Sequence, residues 1–209
     1  MNSKTVVIIA NGQFPSNEIP LQILKNTDHI VCCDGAVDSL LKNTNLKPDV
    51  IIGDLDSVSE NSKNNFSEKL IQINDQNSND LAKAFEYVIQ KKYQKIIFMG
   101  TSGGRDDHAI ANFYLLLNFA KQSDIEIYTD HGKFISVRGQ QNLKSFPHQQ
   151  ISFFTENPDV VVDCKKLKWP LINKKFQFGW QGSLNESLSD ELTVEVMGGG
   201  CLVFLSYVK

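Results

Sequence analysis

The chain has 209 residues, which is enough for one large domain or two smaller ones with a sizeable buried core. Its formal net charge is -3, and lysine and arginine are scattered without a clustered basic excess, which argues against a nucleic-acid-binding surface. The N-terminal apolar run Val6–Ala10 is too short for the core of a signal peptide, and no stretch approaches the length of a membrane span. We therefore expect no nucleic-acid or membrane partner.

The first 132 residues alternate short apolar runs, typical of buried strands, with stretches whose apolar side chains recur at helical spacing. This alternation predicts right-handed crossovers and an α/β domain over residues 1–132, with a mostly parallel, Rossmann-like, three-layer sheet. The predicted strands are Thr5–Ala10, Ile30–Cys33, Val50–Ile52, Leu70–Ile73, Lys95–Met99 and Ile125–Tyr128. The predicted helices are Pro20–Leu24, Ala36–Leu41, Asp80–Lys91 and His108–Lys121.

Nearly every one of these strands is followed by an acid, an amide or a glycine turn. In open parallel sheets, ligands bind beyond the carboxyl ends of the strands, so these residues should meet at one edge. They are Asn11-Gly12, Asp34-Gly35, Asp54 and Asp56, Asp75-Gln76, Gly103-Gly104-Arg105 and Asp130.

The pattern changes after about Gly132, where no helical periodicity is found. Short strands separated by turn residues predict a second, all-β domain over residues 133–209, with a sandwich architecture. Met197–Cys201, with its three glycines, is predicted to be a hairpin turn. The predicted strands are Phe134–Arg138, Ile151–Thr155, Val160–Asp163, Phe176–Phe178, Leu192–Val196 and Leu202–Val208.

A metal–phosphate site is predicted where the third strand ends. If the backbone stays extended after Val50–Ile52, Asp54 and Asp56 point to the same side, roughly 6.5–7 Å apart, and can lean onto one hard divalent cation. Mg²⁺ is usually held by one or two carboxylates together with substrate phosphates. Asp34 follows another apolar run and could add a third carboxylate. The alternative is an acidic loop after a strand, since aspartate favours turns.

The start of the predicted helix Asp80–Lys91 offers a second acid and a cation. Ser78 or Asn79 would cap this helix, and Asp80 and Lys83 would lie on the same face one turn apart. Asp80 could hold metal, and Lys83 could reach a phosphate as a flexible point charge. The alternative is an acid favoured by the helix macrodipole beside a solvated lysine.

In the segment Gly100–His108, a glycine-rich turn follows a predicted strand and leads into a predicted helix. Such a turn presents free N–H groups to an anion, and the Arg105 guanidinium suits a phosphate. Asp107 could bind metal or orient Arg105. The spacing is not that of an ordinary P-loop, and the alternative is a tight turn with a surface Arg–Asp pair.

The cysteines are interpreted as structural, and the histidines other than His108 as structural or surface residues. Cys32, Cys33, Cys164 and Cys201 form no Cys-x-x-Cys motif and are expected to be small core residues in a reduced cytoplasm. No partner at metal-ligand spacing accompanies His29, His131 or His148.

Taken together and in order, these segments resemble the thiamine pyrophosphokinase family, over most of the chain. The C-terminal half carries further similar motifs, Leu167-Lys168-Trp169-Pro170-Leu171 and Phe178-Gly179. The N-terminal motifs are Asn11-Gly12, Cys33-Asp34-Gly35-Ala36, Pro48-Asp49-x-Ile51-x-Gly53-Asp54-Leu55-Asp56-Ser57, Asp75-Gln76-Asn77-x-x-Asp80-x-x-Lys83 and Gly103-Gly104-Arg105-x-Asp107-His108.

The resemblance implies an α/β catalytic domain and a β-sandwich that binds thiamine, in a cytoplasmic homodimer with active sites between subunits. It also implies ATP as co-substrate with Mg²⁺, and transfer of a diphosphate to the hydroxyl of thiamine with release of AMP. By position, the metal ligands would be Asp34, Asp54, Asp56 and Asp80. The catalytic set would be Asp54, Asp56, Asp80, Lys83, Arg105 and Asp107. ATP and its phosphates would be bound by Asn11, Gly12, Asp34, Gly35, Gly103, Gly104, Arg105 and His108. Thiamine would be bound by Gln76, Trp169, Ser183 and Asn185.

The sequence departs from the family pattern at two places. Asn79-Asp80 stands where the family has Thr-Asp, and Ser183-Leu184-Asn185 stands where it has Thr-Ser-Asn. Leu184 thus replaces a serine expected to face the substrate, so diphosphate transfer to a different alcohol stays open. Two rival functions also stay open. One is a phosphatase of the haloacid dehalogenase type, suggested by Asp54-Leu55-Asp56-Ser57-Val58, and the second is a nucleotide-binding module without catalysis.

Overall fold

The computed structural model describes residues 4–75 and 77–208. The chain divides into two compact units. The first comprises Met1–Phe113 and Tyr128–Asp130, and the second comprises Tyr114–Ile127 and His131–Lys209.

The first unit contains strands that pair in parallel. They are β1 (Thr5–Ile9), β2 (His29–Cys33), β3 (Val50–Gly53), β4 (Leu70–Gln72) and β5 (Lys95–Met99). They lie in the order β5-β1-β2-β3-β4, with Val7 of β1 opposite Ile30 on one side and Ile97 on the other. The apolar residues of β1 are buried whichever face they point to, as expected of a central parallel strand. The carboxyl ends of these strands therefore share one edge.

Five helices follow the strands of the described ranges, α1 (Glu18–Lys25), α2 (Ala36–Asn43), α3 (Glu60–Asn65), α4 (Asp80–Gln90) and α5 (Asp106–Ala120). The side chains of Asn17, Ser59 and Asn79 accept hydrogen bonds from backbone N–H groups in the first turns of α1, α3 and α4. These caps satisfy donors that a helix start leaves unpaired. Of the two predicted caps for α4, the structure selects Asn79.

Most predicted elements of this part of the chain are present, and β5 has the predicted bounds. Helix α3 was not predicted, because Glu60–Asn65 contains no apolar periodicity. It is held instead by hydrogen bonds to Asp38, whose carboxylate accepts from the hydroxyls of Ser59 and Ser62 at 2.6 Å each.

The C-terminal part of the chain is rich in strands, as predicted. The strands are β6 (Ile125–Tyr128), β7 (Gly132–Lys144), β8 (Gln150–Thr155), β9 (Val161–Cys164), β10 (Leu171–Lys175), β11 (Asn185–Glu186) and β12 (Glu191–Ser206). The pairs formed among β7 to β12 are antiparallel. Strand pairing is therefore mixed along the chain, and the general prediction of an α/β fold with a C-terminal β-rich part is confirmed.

The predicted hairpin at Met197–Cys201 is wrong. Strand β12 continues through this segment and pairs with β7 on both sides of it, from Glu191 opposite Lys144 to Ser206 opposite Gly132. The pairing register shifts between Val196 and Cys201. Glycine inside a strand often marks such an irregularity, so the glycine run here allows a bulge rather than a chain reversal.

The predicted strand Phe176–Phe178 is also wrong. The strand lies just before it, where β10 pairs with β9 through Leu171 opposite Cys164 and Lys174 opposite Val162. Leu171 is buried and the next four residues are exposed, so β10 lacks the alternation by which strands are recognised. Phe176 nevertheless belongs to the core of the second unit, as does the fully buried Phe153.

The four cysteines are buried free thiols, as predicted for core residues. None of the helices in residues 4–75 and 77–208 is long and apolar enough to cross a bilayer. His29 lies edge-on to Tyr93, and His148 Nδ1 lies 2.7 Å from Glu186 Oε1. Each of these two histidines thus has a side-chain contact within the protein.

Candidate active site

A cleft of about 490 Å³ lies in the first unit, where the carboxyl ends of the parallel strands meet the first turns of α4 and α5. The structure brings many of the predicted site residues to its walls. They are Asn11, Gly12, Asp34, Asp54, Asp56, Asp80, Lys83, Gly103, Arg105 and His108. The arrangement follows the rule that open parallel sheets bind ligands at this edge.

Three of the predicted acids, Asp34, Asp54 and Asp56, converge. Each offers a carboxylate oxygen, and these oxygens lie within 4.8 Å of one another. The backbone between Asp54 and Asp56 is not extended, however, because Leu55 has a φ of 67°. The convergence is as predicted, but a turn produces it rather than the alternation of a strand.

Asp34 is the most buried member of this group, with 4 % of its surface exposed. Its Oδ1 atom is buried and has no hydrogen-bond partner among the described residues. Burial raises the pKa of Asp34, hydrogen bonds from Ser57 lower it, and the charges of Asp80 and Asp56 raise it further, so that the net shift is upward. A buried carboxylate oxygen without a partner is costly, and a cation placed against it would remove that cost. This oxygen-only group therefore fits a hard divalent cation such as Mg²⁺.

Asp80 lies beside this group and is paired with Lys83. Lys83 Nζ donates to Asp80 Oδ1 at 3.0 Å, and the lysine is 4 % exposed. Gly53 makes the close packing possible, since a Cβ atom there would lie 3.0 Å from the Asp34 Cβ and 3.1 Å from the Asp80 Cγ. The site thus contains a buried cation next to the convergent carboxylates.

The loops after β1 and β5 are joined by backbone hydrogen bonds. The Gly12 N–H donates to the Gly100 carbonyl at 2.9 Å, and the Gln13 N–H donates to the Ser102 carbonyl at 2.8 Å. Gly103 and Gly104 both have positive φ, which glycine adopts without strain. These contacts fix the glycine-rich loop at the start of α5, where free N–H groups favour an anion.

Arg105 is oriented by Asp107. Its Nε donates to Asp107 Oδ1 at 3.1 Å and its Nη2 donates to Oδ2 at 2.6 Å. The hydrogen bond from Arg105 lowers the pKa of Asp107 to about 2. Both side chains are exposed to solvent, and Asp107 lies outside the convergent carboxylate group. Of the two predicted roles for Asp107, this geometry favours the orientation of Arg105.

Several cleft residues were missed by sequence reasoning, including Ser57, Thr101 and Asn112. Asn112 donates to the Thr101 carbonyl at 3.2 Å and accepts from the Asn79 side chain at 3.3 Å. It therefore links the start of α4 to the loop after β5. Its position one helical turn after His108 was the available signal, because residues four apart share a helix face.

The remaining predicted residues lie elsewhere. Gly35 precedes α2 and adjoins Asp34, while Gln76 lies outside the described residues. Trp169, Ser183 and Asn185 belong to the second unit. There the Asn185 amide donates to the Trp169 carbonyl at 2.8 Å and its oxygen accepts from the Trp169 N–H at 3.2 Å. Asn185 thus holds the backbone of a half-exposed tryptophan.

Two family models match the chain. The model described as thiamin pyrophosphokinase, catalytic domain, matches residues 21–129. The model described as thiamin pyrophosphokinase, substrate-binding domain, matches residues 132–204.

Curated relatives agree with this match. Thiamine pyrophosphokinase 3 of Oryza sativa subsp. japonica is 30% identical over 165 residues, which is 71% of this chain and 61% of the rice protein. Thiamine pyrophosphokinase 1 of the same plant is 24% identical over 175 residues, 76% of this chain and 65% of that protein. The chain thus spans somewhat less than two thirds of the length of these relatives.

Solved structures agree in fold. Thiamine pyrophosphokinase from Bacillus subtilis superposes with a TM-score of 0.80 at 20% identity, covering 97% of this chain and 99% of that one. Thiamin pyrophosphokinase from Candida albicans superposes with a TM-score of 0.80 at 19% identity, covering 98% of this chain and 89% of that one.

Proposed function

The chain belongs to the thiamin pyrophosphokinase family, and we propose that it transfers the diphosphate of ATP to the hydroxyl of thiamine, giving thiamine diphosphate and AMP. The reaction is an in-line attack of a primary alcohol on the β-phosphorus, with AMP as the leaving group. Because charge spreads over the transferred oxygens, the task of the protein is chiefly to position the reactants and neutralise charge.

The observation that carries the proposal is the composition of the cleft in the first unit. It places the carboxylates of Asp34, Asp54 and Asp56 within 4.8 Å of one another and adds the buried Lys83 and the oriented Arg105. A binding site for a neutral small molecule would gain nothing from clustered carboxylates. A polyphosphate bound together with a divalent cation would contact the carboxylates through the cation and the lysine and arginine directly.

Asp34, Asp54 and Asp56 would hold Mg²⁺, which when bound neutralises phosphate charge. The orphaned Asp34 Oδ1 supports this assignment. Asp80 would complete the acidic set, as a further ligand or as the acceptor of the thiamine hydroxyl proton. Its hydrogen bond from Lys83 occupies one carboxylate oxygen and leaves the second oxygen for either role.

Lys83 and Arg105 would stabilise the charge that develops on the transferred phosphates. Backbone N–H groups of the glycine-rich loop at the start of α5 would bind the remaining phosphate oxygens, as loops at helix starts do. Asp107 would keep the Arg105 fork in one orientation. The ATP-binding set would then comprise Asn11, Gly12, Asp34, Gly35, Gly103, Gly104, Arg105 and His108.

Thiamine would be recognised by Gln76 and by Trp169, Ser183 and Asn185 of the C-terminal part. The match of residues 132–204 to the substrate-binding domain supports this division of labour, with domains at 1–132 and 133–209. A Rossmann-like catalytic domain, a C-terminal β-sandwich and a homodimer with active sites between subunits are parts of the same proposal. A cytoplasmic location is supported by the four free, buried thiols.

A second candidate is diphosphate transfer to another alcohol. Leu184 favours it, because this leucine is 78% exposed and stands where the family has a serine. A phosphatase of the haloacid dehalogenase type is disfavoured by the two family matches.

The decisive experiment measures AMP release from ATP and Mg²⁺ with and without thiamine, with the product identified by mass spectrometry in the same reaction. The proposal expects AMP only when thiamine is present, together with thiamine diphosphate. AMP release with a different alcohol but not with thiamine would establish the second candidate. Release of ADP or free phosphate, or no turnover with any acceptor, would refute diphosphate transfer.

A further inference from the structure

Within residues 4–75 and 77–208, each of the three convergent carboxylates has one oxygen occupied by a hydrogen bond from the segment 56–57. Asp54 Oδ1 accepts from the Asp56 N–H at 3.2 Å, and Asp34 Oδ2 accepts from the Ser57 N–H at 3.2 Å. Asp56 Oδ1 accepts from the Ser57 hydroxyl at 2.8 Å. The second oxygen of each carboxylate is left for a ligand, and for Asp34 this oxygen is the orphaned Oδ1.

Ser57 supplies two of these three hydrogen bonds, and the two acids that accept them follow different strands. Its N–H holds Asp34, which follows β2, and its hydroxyl holds Asp56, which follows β3. The approach of the two segments depends on Gly35, because a Cβ atom there would lie 2.9 Å from the Ser57 carbonyl oxygen and 3.2 Å from the Ser57 Cβ. Ser57 therefore links its own loop, which carries Asp54 and Asp56, to the loop that carries Asp34.

We infer that Ser57 is a positioning residue for the metal ligands, an inference that rests on the proposed function. Its hydroxyl fixes the Asp56 carboxylate so that one oxygen faces the protein and the other faces the cation. Three carboxylates this close repel one another and turn apart unless their orientation is fixed beforehand. Hydrogen bonds to metal-ligating carboxylates contribute in this way to metal affinity.

A merely structural role for Ser57 predicts something different. If the hydroxyl only stabilised the turn after β3, its loss would lower the thermal stability and leave metal affinity unchanged. If it positions Asp56, its loss weakens cation binding even in a protein that is fully folded. Metal affinity of the folded protein thus separates the two roles.

The test is a titration of the nucleotide-free protein with Mn²⁺, in which the free ion is measured by electron paramagnetic resonance and Mg²⁺ is the competitor. Ser57→Ala has no side-chain donor at this position, and Ser57→Cys has only a weak S–H donor. Both variants are expected to bind Mn²⁺ about 10-fold more weakly than the native protein. Ser57→Thr keeps the hydroxyl and is expected to stay within about 2-fold of the native affinity.

Ser59→Ala is the matched control. Ser59 also donates its hydroxyl to an aspartate, Asp38, at 2.6 Å, but it caps α3 and does not line the cleft. This variant is expected to lose thermal stability and to bind Mn²⁺ with native affinity.

Native affinity in both Ser57→Ala and Ser57→Cys would overturn the inference, as would equally weak binding by Ser57→Thr. If one of the first two variants fails to fold, the other still decides the question. In the AMP-release assay, the positioning role also predicts that Ser57→Ala and Ser57→Cys require a higher Mg²⁺ concentration for half-maximal activity. Absence of Mn²⁺ binding by the native protein would refute the proposed metal site itself, which is a separate result.

Discussion

Replacing Asp34 by asparagine is expected to stabilise the metal-free protein while it abolishes activity. The native carboxylate is buried, lies near two other carboxylates, and has one oxygen without a hydrogen-bond partner among the described residues. The asparagine amide has nearly the same shape and no charge. Its oxygen can still accept from the Ser57 N–H, and its NH₂ group can donate to a neighbouring carboxylate.

The size of the gain follows from the geometry. Two unit charges about 4.8 Å apart repel by about 0.9 kcal/mol in bulk water and by about 3.5 kcal/mol at an effective dielectric constant of about 20. Asp54 is half-buried and Asp56 is exposed, so solvent screens both repulsions substantially. We therefore expect Asp34→Asn to raise the free energy of unfolding without metal by about 1–3 kcal/mol. Loss of one ligand should lower kcat/KM at least 100-fold, or about 2.7 kcal/mol.

The assay is urea unfolding in excess chelator and again in saturating Mg²⁺. Asp38→Asn is the matched control, because it makes the same substitution at an aspartate with satisfied oxygens. Although burial raises the pKa of Asp38, hydrogen bonds from Ser59 and Ser62 lower it more, and the net shift is downward. Asp38→Asn is therefore expected to lose about 1–3 kcal/mol of stability with or without metal.

The pH dependence has a definite sign. The pKa of Asp34 in the folded protein lies above its ordinary value of 3.8, so the folded state holds the proton more tightly than the unfolded state. Metal-free native protein should then lose stability as pH rises from about 3.8 through the raised pKa, and Asp34→Asn should lack this contribution. A metal-free Asp34→Asn variant that is less stable than the native protein at neutral pH would refute the reasoning.

Three further predictions concern the rest of the cleft. Gly53→Ala should weaken Mn²⁺ binding about 10-fold and lower stability by about 1–3 kcal/mol. The added Cβ would lie 3.0 Å from the Asp34 Cβ and 3.1 Å from the Asp80 Cγ, and native binding would contradict that packing. Lys83→Met should lower kcat/KM for ATP by about 100-fold in steady-state assays. An unchanged kcat/KM would show that Lys83 does not contribute to phosphate binding. Arg105→Lys, which loses the paired hydrogen bonds to Asp107, should raise the KM for ATP about 10-fold, and an unchanged KM would show that one charge suffices.

Local sequence patterns predicted the elements that depend on residues close to one another in the chain. The apolar β-branched runs predicted the parallel strands, and Lys95–Met99 has its predicted bounds. Elements that depend on distant partners were missed. Helix α3 depends on hydrogen bonds to Asp38, and β12 continues through its glycines because β7 pairs with it on both sides.

The same division holds for the site. The order of residues alone predicts which acids follow which strands. It also predicts the parallel topology that brings Asp34 to the same edge as Asp54 and Asp56. The folded structure was needed to see that the acids meet through a left-handed Leu55. It was also needed to see which carboxylate oxygens remain available once Ser57 has donated its two hydrogen bonds. Periodicity predicts which side of an element faces the core, because buried and exposed residues alternate along the chain with the period of that element. The choice of a hydrogen-bond partner depends on which loops the finished sheet places side by side.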